Sequence, residues 1–221
     1  MNVTDALKTR RTTRGFRPDP VPDKLMQQLF EAAQLSASNC NTQPWHVTVV
    51  SGDARDRLGA ALVAEITSGK TPAPAFQPGD ANLQGVYRER QVACAVEYYK
   101  VMGIARDDKA GRNALMLKNW EFFGAPHVAF LSMPTSMGAV NAIDVGIYLQ
   151  SLMLLLVEHG LASCPQGALA FFPEPVYEIA DIPAGHGILC GISFGYADER
   201  AKINQVRMER APLAQSVSFV R

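Results

Sequence analysis

Hydrophobic positions along this chain alternate between a helical spacing and short, unbroken β-branched runs. Residues 2–9 put Val3, Ala6 and Leu7 on one side and predict a short helix. A clearer helix starts at Pro22, which suits a first helical turn. From there Leu25, Met26, Leu29, Phe30 and Ala33 fall at i, i+1, i+4, i+5 and i+8. It ends in the small polar run "SASNCNTQPW". "HVTVVSG", 46–52, is short, β-branched and closed by Gly, so it predicts a strand. Helices are expected over 53–68, over 83–104 with a stop at Gly103, and over 106–124. Strands are expected over 126–133 and 187–197, with a short helix over 173–180 between them. "LASCPQGALAF" reads as a turn-rich connection. "GKTPAPAFQPGD", 69–80, is a Pro/Gly loop of a length that suits a lid or a plain connector.

"NAIDVGIYLQSLMLLLVEHG", 141–160, is apolar nearly all round, so a helix there must be buried on every side. That predicts a central helix, at a subunit interface if not wholly inside one chain. Many helices with a few non-adjacent strands define an α+β fold around a small central sheet. At 221 residues and 48% apolar composition, one domain spanning 1–221 is expected.

Charge changes the picture at one place. The chain holds 21 Lys+Arg and 21 Asp+Glu, yet "KTRRTTRGFR", 8–17, gathers Lys8, Arg10, Arg11, Arg14 and Arg17 with no acid. A nucleic-acid arm, a targeting peptide and a pocket for one anion all explain such a cluster. A pI near 6.9 argues against general nucleic-acid binding, which shows a domain pI above about 9. The stretch is Arg-rich and acid-poor like a presequence, but Pro18, Asp19, Pro20 and Pro22 follow at once. No apolar signal segment precedes it. The longest apolar run, 145–157, is broken by Gly146, Gln150 and Ser151 and falls short of the roughly 20 residues that span a bilayer. A soluble, cytoplasmic protein without membrane or nucleic-acid partners is expected. Cys40, Cys94, Cys164 and Cys190 form no C-x-x-C pair, and the four histidines are scattered, so no metal site is expected. Dinucleotide, P-loop and nucleophile-elbow motifs are all absent.

The anion pocket can be built from both ends of the chain. Arg10 and Arg14 are four apart and can face one way, with Thr12 and Thr13 adding hydroxyls. Guanidinium offers a planar donor fork matched to phosphate. Near the C-terminus Arg207 and Arg210 are three apart, so four guanidiniums would surround one phosphate if the termini meet. "SASNCNTQPWH" carries Ser38, Asn39 and Asn41 among other polar groups, which suit either a capping turn or the edge of a polar heterocycle. "SCPQGA", 163–168, could aim backbone amides at a ligand.

Five segments in order, "RRTTRGFRPDPVP", "SASNCNTQPWHVTVVSG", "FFGAP", "DVGIYLQSLMLLLVEHGLASCPQGA" and "NQVRMERAPLAQSVSFV", resemble the FMN-dependent nitroreductase family. They are most similar to its nitrobenzoate-reductase-like branch. The resemblance implies a nitroreductase-like α+β fold in a domain-swapped homodimer, with the long apolar helix at the interface and two FMN sites shared between subunits. It implies that Arg10, Arg11 and Thr12 hold the FMN phosphate and ribityl chain, Arg11 mainly through its backbone. Arg14 would sit by the pyrimidine edge. Ser38, Asn39 and Asn41 would come from the partner chain. Pro165, Gln166 and Gly167 would present an N–H near flavin N5. Arg207 and Arg210 would complete the phosphate site, while Lys8 and Arg17 would be ordinary surface charge.

The implied chemistry is ping-pong: N5 takes a hydride from NAD(P)H, and an aromatic electrophile, a nitroarene or a quinone, then takes its place. No catalytic side chain is required. In the same fold, reductive dehalogenation, flavin fragmentation and enone reduction are alternatives, as is a flavin-binding or basic-arm protein without turnover. The helix residues "RERQ", 88–91, lack the Asn and Lys that enteric members place near the flavin ring. Tyr87, Phe122 and Phe123 are candidates to stack on an aromatic substrate, although core packing explains aromatic residues equally well.

Overall fold

The computed structural model of the chain describes every residue except Pro78, Asp80 and Ala81. Seven helices and four strands follow in order among the described residues: α1 (Val3–Thr9), α2 (Asp23–Ala33), β1 (His46–Ser51), α3 (Gly52–Thr67), α4 (Gly85–Met102) and α5 (Lys109–Leu117). Then come β2 (His127–Pro134), α6 (Ala139–Glu158), β3 (Ala162–Gln166), α7 (Pro173–Ile179) and β4 (His186–Gly195). Local signals fix several ends. The Asn2 side chain caps α1 by accepting the Asp5 N–H at 2.9 Å. Gly103, at φ 71°, ends α4 as a left-handed cap with its N–H on the last turn.

The strands form one antiparallel sheet in the order β1-β2-β4-β3. Residues 127–133 of β2 are all buried, because helices cover both faces of the sheet. One core joins Ala129, Leu131 and Met133 to Leu29 of α2 and to Tyr148, Leu152 and Leu156 of α6. The other joins Val128 and Phe130 to Leu58 and Leu62 of α3 and to Val176 of α7. Burying each of the Val, Leu, Met and Phe side chains among these contributes roughly 1.5–3 kcal/mol. In β4, Ile192 and Phe194 face the first core but Ile188 faces the second. A register shift accounts for this: Leu131 pairs with Cys190 and Ser132 with Ile188, so Leu189 is extra and inverts the alternation.

Three expectations need correction. "LASCPQGALAF" is not only turn: Ala162–Gln166 is a strand, held by β4 from Ala162↔Gly195 to Gln166↔Gly191. The helix expected over 106–124 runs only from Lys109 to Leu117. Phe122 and Phe123 then take left-handed φ of 56° and 53°, which sends their rings into two different clusters. A continuous helix would have set neighbouring rings about 100° apart on one surface. Finally, α6 is not buried all round in the protomer. Tyr148, Leu152 and Leu156 are buried, but Val140, Ile143 and Ile147 are exposed.

The 69–80 loop is docked as far as it is described: the Ala73 N–H donates to the Phe171 carbonyl at 2.8 Å, and Phe76 packs against the first core. Its positions 78 and 80 lie outside the described residues.

Candidate functional site

The opening arginine segment is sewn along the edge of the sheet. Thr12 bridges to Ser163 of β3, the Thr13 N–H donates to the Ser163 carbonyl at 2.9 Å, and the Arg17 N–H donates to the Tyr196 carbonyl at 2.9 Å. Gly15 fits because it has no side chain: a Cβ there would stand 2.5 Å from the Ala201 Cβ. Asn204 locks the same turn. Its Oδ1 accepts the Arg14 N–H at 2.8 Å, and its Nδ2 donates to the carbonyls of Gly15 and Asp198 at 2.8 and 3.0 Å. The Asn204 carbonyl in turn accepts from Arg207 at 2.8 Å. The two ends of the chain therefore meet, and one buried amide joins them.

Their meeting encloses a cleft of about 1220 Å³ between the end of α1, one face of α4 and the segment 206–211. Arg10, Arg11 and Arg14 line it from one side and Arg207 and Arg210 from the other. Arg90 of α4 and Lys8 join them, and Glu209 is the single acid in the lining. Burial, and then the nearby Arg210 charge, push the Arg10 guanidinium below its usual range. Among the described residues Arg10, Arg14, Arg207 and Arg210 form no ion pair, whereas Arg11 reaches Glu199 at 3.6 Å. Several cations held together with a single acid among them are the electrostatic signature of an anion site. Lys8 belongs to this lining and is at the same time exposed, as a surface charge is. Arg17 does lie outside, paired with Asp19 at 2.8 Å.

Arg14 is packed against two aromatic rings. Its guanidinium lies 4.4 Å from the Tyr98 ring centroid and 5.6 Å from that of Phe123, and Nη1 donates to the Tyr98 hydroxyl. Arg14, Cys94 and Tyr98 also form the wall of a second, smaller cavity of about 280 Å³ between α4 and α5. Phe123 lines that cavity. Phe122 does not: it is fully buried beside Gly59 in the second core, and its expected place on a substrate pocket is filled by packing instead. Tyr87 is exposed on α4 and lines neither cavity.

The remaining candidates stand apart from the cleft within one protomer. Ser38, Asn39 and Asn41 lie in a short turn before β1, where Cys40, Asn41 and Gln43 have left-handed φ. Asp144 of α6 fixes this turn by accepting the Asn39 N–H at 3.0 Å. Pro165, Gln166 and Gly167 are at the end of β3. The Gln166 side chain is buried, donating to the Asn119 carbonyl at 2.7 Å and accepting from Ser193. That clamps the peptide leading into Gly167. Sequence reasoning missed Asn204, Arg90, Cys94 and Tyr98. The last three are spaced by four, and that spacing alone places them on one face of a helix.

A four-stranded antiparallel sheet between two helical layers, with a cation-lined cleft where the termini meet, defines an α+β protein equipped to hold a phosphate-bearing ligand. The chain belongs to the nitroreductase family, whose model matches residues 7–196. It is 44% identical to the nitroreductase NfnB of Mycolicibacterium smegmatis, over 97% of this chain and 91% of that protein. It is 35% identical to a 4-nitrobenzoate reductase of Pseudomonas putida, over 91% and 88%. Among solved structures, an FMN- and NADPH-dependent nitroreductase NfnB from Sphigopyxis sp. strain HMH superimposes with a TM-score of 0.96 at 36% identity, covering all of both chains. The FMN-dependent NfnB from Mycobacterium smegmatis in complex with NADPH gives 0.94 at 42% identity, again over all of both chains. The nitroreductase-like α+β fold expected from the sequence is thus the observed one.

Proposed function

We propose that the protein is an FMN-dependent oxidoreductase that uses NAD(P)H to reduce nitroaromatic compounds, with quinones as further acceptors. The observation that carries this is the meeting of Arg10 with Arg207 and Arg210 in one nearly acid-free cleft. The group fits the residues present. Guanidiniums without ion-pair partners suit a phosphate, and the volume exceeds the upper end of ordinary ligand pockets, about 1,000 Å³. Two proteins similar over the whole chain are FMN-dependent nitroreductases, one NADPH-dependent and one in complex with NADPH, which supports the same reading.

Arg10, Arg207 and Arg210 would hold the phosphate through charge-assisted donors, with Thr12 and the Arg11 backbone along the ribityl chain. Arg14, fixed by Tyr98, would set a cation at the ring edge and stabilise negative charge there. Clamping by Gln166 would hold the Pro165–Gly167 backbone still beside the ring. When bound, FMN supplies the two-electron hydride chemistry that side chains lack. No side-chain acid is assigned, because water can protonate the product.

The same proposal makes the protein a soluble, cytoplasmic homodimer with exchanged segments. Two observations support the assembly. The 18-residue α4 has no buried residue, and α6 leaves Val140, Ile143 and Ile147 uncovered. Beyond them Val217, Phe219 and Val220 extend the exposed apolar surface of the C-terminal segment. A second protomer would cover these faces and bring its own Ser38, Asn39 and Asn41 to the cleft. Contrary to the expectation from its interrupted run, α6 is long and apolar enough to cross a membrane by length and composition; 33% of its apolar window is buried, against α1, α2 and the sheet, and a partner protomer would cover the rest.

Titration of the purified protein, stripped of flavin, with FMN tests the proposal. Quenching of flavin fluorescence at one FMN per chain is expected. No quenching at any ratio would overturn it.

A further inference from the structure

Among the described residues Asp144 is the only buried carboxylate, at 4% exposure. No cation pairs with it there. Its Oδ1 accepts the Asn39 N–H at 3.0 Å, but Oδ2 is buried without a hydrogen-bond partner. The Tyr148 hydroxyl, one turn along α6, is buried and unpartnered as well. An unpaired carboxylate is costly to bury, and an apolar side chain of similar size would serve the core better. The reason for Asp144 therefore lies in what it holds.

What it holds is a strained turn. Cys40, Asn41 and Gln43 take left-handed φ of 49°, 56° and 45°. Such a run persists only where its surroundings over-determine it. Inside the turn, the Asn41 N–H donates to the Ser38 carbonyl at 3.1 Å, and the Gln43 N–H donates to the Ser38 hydroxyl at 3.0 Å. Among the described residues the bond to Asp144 is the only hydrogen bond that leaves residues 38–43. It uses backbone, so the exposed Asn39 and Asn41 side chains stay available. Ile143 and Ile147 of the same helix are exposed, on the face assigned above to a second protomer. Asp144 thus ties the turn to the helix that carries that face.

We propose that Asp144 is a positioning residue. It holds the 38–43 turn in the shape that presents Ser38, Asn39 and Asn41 to the flavin of a second protomer, and so sets FMN affinity without touching FMN. The inference rests on the flavin-binding homodimer proposed above and names the residue that pre-forms one part of its shared site. A turn that is correctly shaped only part of the time lowers the apparent affinity by that fraction. Losing a hydrogen bond to a charged acceptor here weakens FMN binding by about tenfold.

Fluorescence titration of the flavin-stripped protein with FMN tests this. Asp144→Leu should raise the Kd by about tenfold, and Asp144→Asn, which keeps an oxygen for the Asn39 N–H, should stay within about twofold of the wild type. A purely structural role would lower the affinity whatever the turn carries. The substitution is therefore repeated in a background without the two amides, Asn39→Ala with Asn41→Gly. There Asp144→Leu should cost less than about twofold. Asn39→Pro serves if Asp144→Leu does not fold. Ser38 is extended, at φ -146° and ψ 156°, as a residue before proline prefers, and position 39 opens a short helical turn. The proline ring fits there and removes the N–H given to Asp144. Asn39→Pro should bind FMN about tenfold more weakly than Asn39→Ala. An unchanged Kd in Asp144→Leu, or the same loss with and without the Asn39 and Asn41 amides, overturns the assignment while the flavin reading stands. Equal affinities of Asn39→Pro and Asn39→Ala overturn it too. No quenching by the wild type would instead remove the flavin reading itself.

Discussion

The Asn204 side chain accepts the backbone N–H of Arg14 at 2.8 Å, joining positions 190 residues apart. With its two donated bonds to Gly15 and Asp198 it is a buried amide whose polar atoms are all used by backbone. Asn204→Ala should therefore destabilise the protein by about 2–3 kcal/mol, since it leaves buried backbone groups without partners. Urea denaturation measures the loss. The same variant should retain FMN less well, because the turn that carries Arg14 is no longer fixed.

Arg10→Ala and Arg210→Ala should each weaken FMN binding by about tenfold or more, the worth of a charge-assisted contact to phosphate. Neither should lower the melting temperature of the flavin-free protein, because Arg10 is disfavoured as a charge first by its burial and then by the nearby Arg210, and either substitution relieves that repulsion. Thermal melts with and without FMN separate the two effects. A loss of stability in the flavin-free form would show that the arginines are structural.

His127 sets a pH dependence. Its Nε2 accepts the Val21 N–H at 2.9 Å, and Nδ1 lies 2.6 Å from the Ser51 hydroxyl, so the ring is neutral in the fold. Burial holds its pKa below the ordinary 6.5, with the Asp23 charge opposing more weakly. The unfolded chain therefore binds the proton more readily. The stabilisation is fully present above about pH 6.5 and is lost as the pH falls through the folded value. Denaturation midpoints measured from about pH 8 down to about pH 5 should fall on the acid side. His127→Gln should flatten that slope.

Not all of this was legible beforehand. The helix from Pro22 and the stop at Gly103 were, because their signals are local. So were the paired arginines at both ends, because their charge stands out against a neutral chain. The strand Ala162–Gln166 was not. "ASCPQ" has no β-branched residue and contains a proline, which is tolerated because β3 is the edge of the sheet. The break in the helix at Phe122 and Phe123 was not, because nothing local shows a turn that serves two separate clusters. Asn204 carries no signal at all: its partners Arg14 and Gly15 are at the other end of the chain.

Exposure of Ile143 and Ile147 on α6 leads to a prediction about assembly. If the proposed homodimer forms through this face, Ile147→Asp should dissociate it by placing a charge among apolar side chains, and should release FMN with it. Light scattering and flavin absorbance on one sample measure both. A flavin-loaded monomer would contradict the shared site.

The central claim is that this cleft works as a reductase. Its most direct test is anaerobic stopped-flow absorbance of the FMN-loaded protein. Mixing with NADPH or NADH should bleach the flavin band, and 4-nitrobenzoate should then restore it without added oxygen. A band that neither nucleotide bleaches, or that stays bleached with nitroarene present, would contradict it.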